Sequence, residues 1–463
     1  MGVNNKAMNT RAEVVICGAG IGGCAAAYFL AVRQGVRDIL LVDERPPLSL
    51  TSDKSTECYR NWWPGPGDAM VQLMNRSIDL LEELADAHHN PFHLNRRGYL
   101  YTTTNPGRIA DLEGFAEEAA SLGAGQIRRH FPGSQSTYQP SPAEGCPPDL
   151  GGADLMTGKE LIQEYFPYIS KEVTAALHVR RAGWLSAQQY GMLLLSEAKQ
   201  HGVKQVEARV TGIDLSAGKV AGVQLSNGEL VETSNFINAA GPFIGQVSEE
   251  MLSASLPVTN EIHRKASIND TRKVIGRDAP LLIDTDTQRL DWTEEERILL
   301  EECKETRWLL DELPSGAHLR PEGSGPAESI IMLWDTHTEA VEPVFPIPQD
   351  PMTAEISLRG LCKMLPGLRP YLERFPQPYI DSGYYTKTQE NRPLACPLPV
   401  EGAYLIGAMS GFGIMASAAL GELVAAHVCR TDLPSYAPAF DLTRYQDPAY
   451  QQLLESWGQT WQL

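Results

Sequence analysis

The sequence predicts an α/β fold in two intergrown domains, and three observations support this prediction. The chain has 463 residues, 43% of them hydrophobic, which is more than a single core usually organises. A short apolar strand pattern, EVVIC, leads into a Gly-rich turn and a small-residue helical pattern near the N-terminus. The same kind of pattern returns over residues 186–241, so a different segment interrupts the α/β unit.

Charge, cysteine spacing and hydropathy argue against several classes of protein. The net charge is −19 and the acidic residues are dispersed, which argues against nucleic acid and anionic membranes as partners. The eight cysteines show neither CxxC nor Cys/His spacing, so we expect reduced thiols and no metal site. Residues 1–11 lack the apolar core of a signal peptide, and no run is long enough to span a membrane. These features predict a cytoplasmic protein.

The first strand, turn and helix carry a dinucleotide-binding fingerprint. In GAGIGG, Gly18 permits the turn, Gly20 lets the backbone approach a pyrophosphate, and Gly23 allows close helix packing. A second strand, DILLVDER, ends in acids, of which Glu44 is the first candidate for the ribose hydroxyls and Asp43 the second. The alternative is a plain βαβ turn without a ligand.

The middle of the chain leaves this pattern and then resumes it. A helical pattern after Gly65 is followed by RRGYLYTT, a strand pattern, and by a Pro/Gly/Ser-rich stretch over 132–152 that predicts a loop. Residues 186–241 then read as helix, strand, a hairpin turning at Asn227-Gly228, and FINAAGP. Ala240-Gly241 suits a backbone that passes close to a cofactor.

The last third adds a charged helical pattern, two strands and a small-residue helix. TEEERILLEECKETRWLLDEL predicts a helix over 293–313, and IIMLW and AYLIGAMSG predict strands. The final helix opens at Ser410-Gly411-Phe412-Gly413, where free N–H groups and the positive end of the helix dipole favour an electron-rich group. The alternative is a Gly-rich turn that packs closely on the sheet.

Taken together, a series of motifs resembles the D-amino-acid oxidase family of FAD enzymes, and within it the sarcosine oxidase and glycine oxidase branch. In chain order they are GAGIGG, the strand end at Glu44, RRGYLY (96–101), INAAGP (237–242), YYTKT (384–388) and GAMSGFGIM (407–415). The resemblance implies a discontinuous Rossmann-type FAD-binding domain made of residues 1–92, 172–255 and 380–463. It implies a substrate domain, α+β on a largely antiparallel sheet, made of 93–171 and 256–379.

The resemblance also implies which residues contact FAD and how the cofactor is held. The expected contacts are Gly18, Gly20, Gly23, Asp43, Glu44, Ala240, Gly241, Ser410, Gly411, Phe412, Gly413, Ile414 and Met415. Covalent attachment in related enzymes uses a cysteine just before the YT motif or a histidine soon after the second strand. This chain has Gly383 at the first place and no histidine between 44 and 87, so we expect noncovalent FAD.

For the substrate, the resemblance singles out Arg60 in CYRNWWPGPG. An arginine at this place binds the substrate carboxylate in the branch, and a planar fork of donors among rings suits that task. The alternative is that Arg60 stacks on Trp62 or Trp63 at the surface and pairs with Glu57.

Further substrate candidates lie in motifs where this sequence differs from the branch at single positions. IIMLWDTH places His337 at a substrate histidine but Leu333 at a lysine that serves reaction with oxygen. His318 and Arg320 in GAHLRP fall on a strand that faces the substrate, although a structural role is the alternative for each histidine. In SGFGIM, Met415 replaces a carboxylate-binding lysine and Phe412 replaces a histidine, which predicts a more apolar pocket and a bulkier substrate.

The activity that the resemblance implies is oxidation of the C–N bond of an amino acid or secondary amine by hydride transfer to flavin, giving an imine that hydrolyses. The electron acceptor, whether oxygen or another molecule, stays open. Three alternatives stay open: a flavin monooxygenase, which normally has a Gly-Asp motif after a late strand; a non-catalytic flavin-bound assembly or scaffold protein; and an NAD enzyme.

Overall fold

The computed structural model describes residues 10–134, 137–147, 150–322 and 329–457. Most of the N-terminal stretch used to argue against a signal peptide lies outside these residues, as do two short parts of the loop predicted over 132–152. Among the described residues no helix combines the length and the apolar character needed to cross a bilayer.

The strands of the described residues are, in chain order, β1 (Thr10–Arg11), β2 (Val14–Cys17), β3 (Ile39–Asp43), β4 (Cys58–Arg60), β5 (Tyr99–Thr103), β6 (Ile127–His130), β7 (Ala153–Thr157), β8 (Ala175–Val179), β9 (Ala182–Trp184), β10 (Lys204–Glu207), β11 (Val210–Ser216), β12 (Lys219–Leu225), β13 (Leu230–Glu232), β14 (Phe236–Asn238), β15 (Thr259–Asn269), β16 (Leu281–Asp284), β17 (His318–Glu322), β18 (Ser329–Leu333), β19 (Tyr379–Lys387), β20 (Leu394–Pro397) and β21 (Ala403–Gly407).

The α-helices are α1 (Ile21–Tyr28), α2 (Ala69–Ala87), α3 (Ile109–Ala119), α4 (Lys159–Tyr165), α5 (Ala187–Gln200), α6 (Ile244–Leu252), α7 (Glu294–Glu302), α8 (Thr353–Met364), α9 (Pro370–Glu373), α10 (Gly413–Cys429) and α11 (Pro448–Ser456). Wider π-helical turns extend α1 and α3 over Phe29–Arg33 and Ala120–Ala124. Short 3₁₀ turns cover Pro106–Arg108, Gly241–Phe243, Arg307–Leu310, Pro366–Leu368, Ala437–Phe440 and Leu442–Gln446.

A six-stranded sheet lies at the centre of the α/β unit that contains the Gly-rich turn. Its order is β10-β3-β2-β14-β21-β20, parallel except for the edge strand β20. The inner strands are short apolar runs because both faces are covered. Helix α1 packs against α5 and α10 on one face, and residues of a four-stranded sheet, β1-β13-β12-β11, share a core with the other face. This arrangement confirms the predicted Rossmann-type unit.

A second, nine-stranded sheet has the order β19-β15-β18-β17-β16-β5-β8-β7-β6. Its strand pairs are antiparallel except β16 with β5 and β6 with β7. The sheet is therefore largely antiparallel, as predicted. Alternate residues face different cores: Tyr99 and Tyr101 join the core that contains α1 and α10, whereas Leu100 joins the core beneath α8. The nine-stranded sheet therefore presents one face to the core around α1 and α10.

Two expected segment boundaries shift in the structure. Strand β8 lies within 172–255 and β19 within 380–463 apart from its first residue, both expected in the FAD-binding domain, yet both belong to the nine-stranded sheet. The reason is pairing: β8 lies between β5 and β7, and β19 pairs with β15 from Thr259↔Lys387 to Ser267↔Tyr379. The division into two domains itself we keep as a proposal.

The charged helix predicted over 293–313 is shorter than expected. A capping box of Thr293 and Glu296 starts α7, but the backbone becomes extended at Cys303. The Arg307 side chain turns back and donates to the Glu301 carbonyl from both Nε, at 3.0 Å, and a terminal nitrogen, at 2.7 Å. These bonds satisfy a carbonyl near the end of α7 and end the helix there.

Candidate active site

A cavity of about 670 Å³ lies where the carboxyl ends of β2, β3, β14 and β21 meet. It is lined by the Gly-rich turn, the end of β3, residues 239–243 and residues 406–411 and 413–414. Ligands of open α/β sheets bind at this edge. The volume is within the range of cofactor pockets in proteins.

The Gly-rich turn is as tight as its sequence predicts. Gly18 has φ +108°, and a Cβ there would lie 2.3 Å from the Ala239 carbonyl oxygen. A Cβ on Gly23 would lie 1.8 Å from the Gly18 carbonyl oxygen, whereas the nearest atom to a Cβ on Gly20 would be the Ser52 Oγ at 3.5 Å. Gly18 and Gly23 are therefore required by packing, and Gly20 leaves room beside the cavity, which it lines together with Gly18.

The two acids at the end of β3 have different surroundings. Asp43 accepts hydrogen bonds from the Ala19 N–H at 2.7 Å and the Arg45 N–H at 2.9 Å, so it holds the turn together. Burial raises the pKa of Asp43. Glu44 is exposed, lines the cavity and lies 3.3 Å from a terminal nitrogen of Arg45. The other oxygen of Glu44 lies 3.9 Å from a terminal nitrogen of Arg209, so Glu44 lies at the cavity wall between two arginines.

The turn before α10 forms the opposite wall. Ala408 and Ser410 have φ of +53° and +46°, conformations that cost energy without glycine. Both residues line the cavity, and the Ser410 Oγ is buried with no hydrogen-bond partner among the described residues. Gly411 lies against Tyr385: a Cβ there would be 2.4 Å from the ring.

Not every residue expected at the cofactor lines this cavity. Ala240, Gly241, Gly413 and Ile414 do. Gly23 instead packs against the turn, the ring of Phe412 packs on Trp63 at 5.0 Å between centroids, and Met415 lines a neighbouring space.

That neighbouring space is a cavity of about 20 Å³, enough for a water molecule. It shares Tyr385 and Gly411 with the large cavity. Its lining residues are Thr56, Cys58, Arg60, Tyr99, His318, Leu333, Asp335, Tyr385, Gly411 and Met415. Charged, aromatic and aliphatic side chains thus meet beside the large cavity.

Arg60 belongs to this small cavity and also stacks on a tryptophan. Its side chain is 1% exposed, its guanidinium carbon lies 4.3 Å from the Trp63 ring centroid, and its Nε donates to the Trp62 carbonyl at 3.2 Å. The expected surface contact is therefore a buried one. Glu57, the partner of Arg60 in that alternative, lies instead 3.8 Å from a terminal nitrogen of Arg320.

Of the other expected substrate residues, His318 lines the small cavity and the other two do not. His318 is 1% exposed and its Nδ1 donates to the Gly316 carbonyl at 2.8 Å, which leaves Nε2 as an acceptor. Burial lowers the pKa of His318, so the ring is neutral near pH 7. Arg320 is buried but lines neither cavity, and its Nε donates to the Thr56 carbonyl at 2.6 Å.

His337 is exposed, and its ring lies 5.9 Å from that of Trp308. The structure therefore does not bring His337 to the site. The reason is that β18 ends at Leu333, so strand alternation no longer fixes the direction of side chains four residues later.

Comparison with known proteins identifies the family. The sequence pattern of DAO, FAD dependent oxidoreductase, matches residues 13–427. The chain belongs to the DAO family. No curated protein matches the sequence, whereas solved structures of DAO-like fold cover nearly all of it.

Three of these structures illustrate the likeness. L-proline dehydrogenase from P. horikoshii is 18% identical with a TM-score of 0.71, and the match covers 95% of this chain and 99% of that one. Glycine oxidase from Geobacillus kaustophilus is 16% identical, TM-score 0.70, covering 94% and 99%. Iminodiacetate oxidase from Chelativorans sp. BNC1 is 15% identical, TM-score 0.69, covering 93% and 98%. At these identities the likeness shows the fold.

As a DAO family member the protein is an FAD-dependent oxidoreductase, and the large cavity fits that cofactor. Gly18 and Gly20 leave the backbone of the turn open to it, and the unpartnered Ser410 Oγ offers a hydrogen bond. The cavity is lined at the end of β3 by Glu44 and before α10 by Gly411, and its volume of about 670 Å³ is in the range of cofactor pockets.

The sequence did not single out Asp335 and Tyr385, which line the small cavity, or their neighbour His263 as site residues. Asp335 lines the cavity, and its Oδ2 lies 2.7 Å from the Nδ1 of His263. The His263 ring stacks on Tyr385 at 3.6 Å between centroids. Burial alone would lower the pKa of His263, but Asp335 and Glu261 raise it. Strand alternation from Leu333 could have indicated Asp335, whereas His263 depends on a distant strand.

Proposed function

We propose that this DAO family enzyme oxidises the C–N bond of an amino acid or secondary amine. The observation that carries the proposal is Arg60: a guanidinium, 1% exposed, forms part of a cavity that adjoins the cofactor cavity at Tyr385 and Gly411. A buried cation at this place suits a carboxylate. The related structures named for proline, glycine and iminodiacetate act on amino acids, which supports the choice.

The residues of the chain bind and orient the substrate. Arg60 holds the carboxylate, and Trp63 and Tyr99 beside it keep water away from the ion pair. His318 is neutral with Nε2 free to accept a proton or a hydrogen bond from the amine nitrogen. When bound, FAD supplies the two-electron acceptor. The substrate loses a hydride from carbon and a proton from nitrogen, and the imine then hydrolyses in water.

We further propose which residues hold FAD and that no covalent bond is made. Gly18 and Gly20 face the pyrophosphate, Glu44 the ribose, and Ser410 and Gly411 the flavin end. Gly383 carries no side chain, and a Cβ there would lie 2.7 Å from the Lys54 Cβ. Acid precipitation should release all the flavin into the supernatant, and flavin left on the protein would contradict this.

The activity is tested by anaerobic titration of the yellow holoenzyme with glycine, L- and D-amino acids, N-methylglycine and L-proline, followed by air. Bleaching of the flavin band by one of them supports the proposal, and the rate of recovery in air separates an oxidase from a dehydrogenase. Bleaching by none would favour a monooxygenase or a flavin-bound scaffold.

An arginine exchange makes the test specific for Arg60. Arg60→Gln should raise the concentration needed for half-maximal bleaching by at least tenfold, because a charge-assisted pair is lost. The matched control is Arg359→Gln, since Arg359 also stacks on a tryptophan, Trp292, at 4.0 Å but lines neither cavity. Equal effects of the two exchanges would contradict the role of Arg60.

A further inference from the structure

We propose that Phe345 is part of the cofactor site, where its ring stacks on the adenine of FAD, and that Tyr384 is the positioning residue that holds the loop of Phe345 in place. Phe345 lies between β18 and α8, far along the chain from the Gly-rich turn and from the acids of β3. The inference uses the proposed placement of the FAD ribose at Glu44 and is independent of the amine substrate.

The loop of Phe345 reaches the part of the large cavity that is formed by the end of β3. Pro343 and Phe345 line the cavity together with Glu44 and Arg45. The guanidinium carbon of Arg45 lies 4.5 Å from the centroid of the Phe345 ring, so the ring is next to the residue that follows Glu44. Because the acid after the second strand binds the ribose in folds of this kind, and adenine is attached to that ribose, we infer that the adenine lies on the Phe345 side of the cavity.

The surroundings of the Phe345 ring suit a flat base better than a phosphate. Phe345 is 57% exposed although it lines the cavity, so much of its apolar surface is available to a ligand. Arg209 lines the same end, where a terminal nitrogen of its side chain lies 3.9 Å from Glu44, and Val210 adds apolar surface. Purine rings stack on aromatic side chains and on guanidinium groups, and this end offers both, whereas the Glu44 carboxylate repels a phosphate.

Two hydrogen bonds of Tyr384 fix the backbone just before Phe345. The Tyr384 hydroxyl accepts from the Val344 N–H at 2.7 Å and donates to the Val344 carbonyl at 2.7 Å. Tyr384 itself is buried on β19. Earlier in the loop, the Val341 N–H donates to the carbonyl of Asn260, on β15, at 2.8 Å. The loop is thus attached to two strands of the nine-stranded sheet, and Tyr384 holds the residue that precedes Phe345.

Titration of the apoprotein with FAD tests the stacking, with ADP as a competitor that carries the adenine but not the flavin. Phe345→Ala should raise the dissociation constants of FAD and ADP by about 5- to 150-fold, as when an aromatic partner of a base is replaced by alanine. Phe345→Trp keeps a flat ring and should stay close to the wild type, whereas Phe345→Leu should behave like Phe345→Ala. The matched control is Phe131→Ala, which should change neither constant, because Phe131 is 54% exposed but lines neither cavity.

A double exchange separates positioning by Tyr384 from a direct contact with FAD. Tyr384→Phe should raise the FAD constant by about 2- to 10-fold, because it removes both hydrogen bonds, and should add nothing when Phe345 is already replaced by alanine. An equal effect of Tyr384→Phe in both backgrounds would overturn the positioning role.

Four results would overturn the stacking itself. They are an unchanged FAD constant in Phe345→Ala, a change for FAD without one for ADP, a Phe345→Leu variant equal to Phe345→Trp, and no competition by millimolar ADP in the wild type. Neither constant depends on turnover. Absence of bleaching by every amine would therefore contradict the proposed function and leave this inference in place, and loss of this inference would leave amine oxidation in place.

Discussion

Replacement of Gly411 by alanine should disturb both cavities, since Gly411 and Tyr385 form the wall between them. A Cβ on Gly411 would lie 2.4 Å from the Tyr385 Cε2, about 1 Å closer than two carbons tolerate. The Tyr385 ring is prevented from retreating because it stacks on His263 at 3.6 Å. We expect a loss of about 1–3 kcal/mol in the free energy of unfolding, as for other overpacked sites.

The same displacement should weaken cofactor binding. If the strain at Gly411 is present only when FAD is bound, a cost of about 1–3 kcal/mol corresponds to a rise of about 5- to 150-fold in the FAD dissociation constant. The assay is titration of the apoprotein with FAD, followed by quenching of flavin fluorescence, together with thermal unfolding of both forms.

Gly413→Ala is the matched control. A Cβ on Gly413 would make an ordinary contact, 3.4 Å from the Met409 Cβ, at the first residue of α10, where alanine is tolerated. We expect its stability to stay within about 0.5 kcal/mol of the wild type. If the apoprotein with Gly411→Ala unfolded at the same temperature as the apoprotein with Gly413→Ala, the reasoning about the shared wall would be refuted.

Three further predictions concern the acids of β3 and two buried groups. Glu44→Gln should raise the FAD dissociation constant by about tenfold through loss of a charge-assisted hydrogen bond, whereas Asp43→Asn should mainly lower the unfolding temperature. A larger effect of Asp43→Asn on FAD binding and of Glu44→Gln on the unfolding temperature would contradict these roles. Burial, with a smaller effect of Arg180, lowers the pKa of His178 to about 3. Because the unfolded chain binds this proton more readily, the free energy of unfolding falls by up to about 1.4 kcal/mol for each pH unit below pH 6.5. In urea unfolding, His178→Gln should flatten this dependence between pH 6.5 and 4, and an unchanged slope would contradict it. Burial raises the pKa of Asp284 to about 6, so Asp284→Asn should stabilise the fold by up to about 3 kcal/mol at pH 7 and by almost nothing at pH 4; an equal gain at both would contradict the shift.

The sequence predicted what short-range patterns determine. The strand, turn and helix from Val14 to Tyr28 and the start of α10 at Gly413 are confirmed, because glycine spacing and apolar periodicity act within a few residues. The family, the cofactor and the fold class are confirmed by the matching family and by the arrangement of the sheets.

Long-range pairing determined what the sequence could not show. His263 meets Asp335 and Tyr385 because β15 pairs with β18 on one side and β19 on the other, a register that no local pattern records. His337 was selected by counting along the motif, but the strand ends before that count applies. Arg320 lines neither cavity, because its guanidinium donates to the Thr56 carbonyl and lies near Glu57.

The interleaved order of the six-stranded sheet has a consequence for how the enzyme is made. Strands β2 and β3 are synthesised first, but β14 joins β2 to β21, and the turn at Ser410 and Gly411 comes near the C-terminal end. The cofactor cavity therefore lacks a wall until Ser410 and Gly411 have left the ribosome, long after Gly18 and Gly20 at roughly 5–20 residues per second. Newly made chains must wait for the last segment before FAD can bind, so a shortage of FAD would leave complete but unliganded chains exposed to proteolysis.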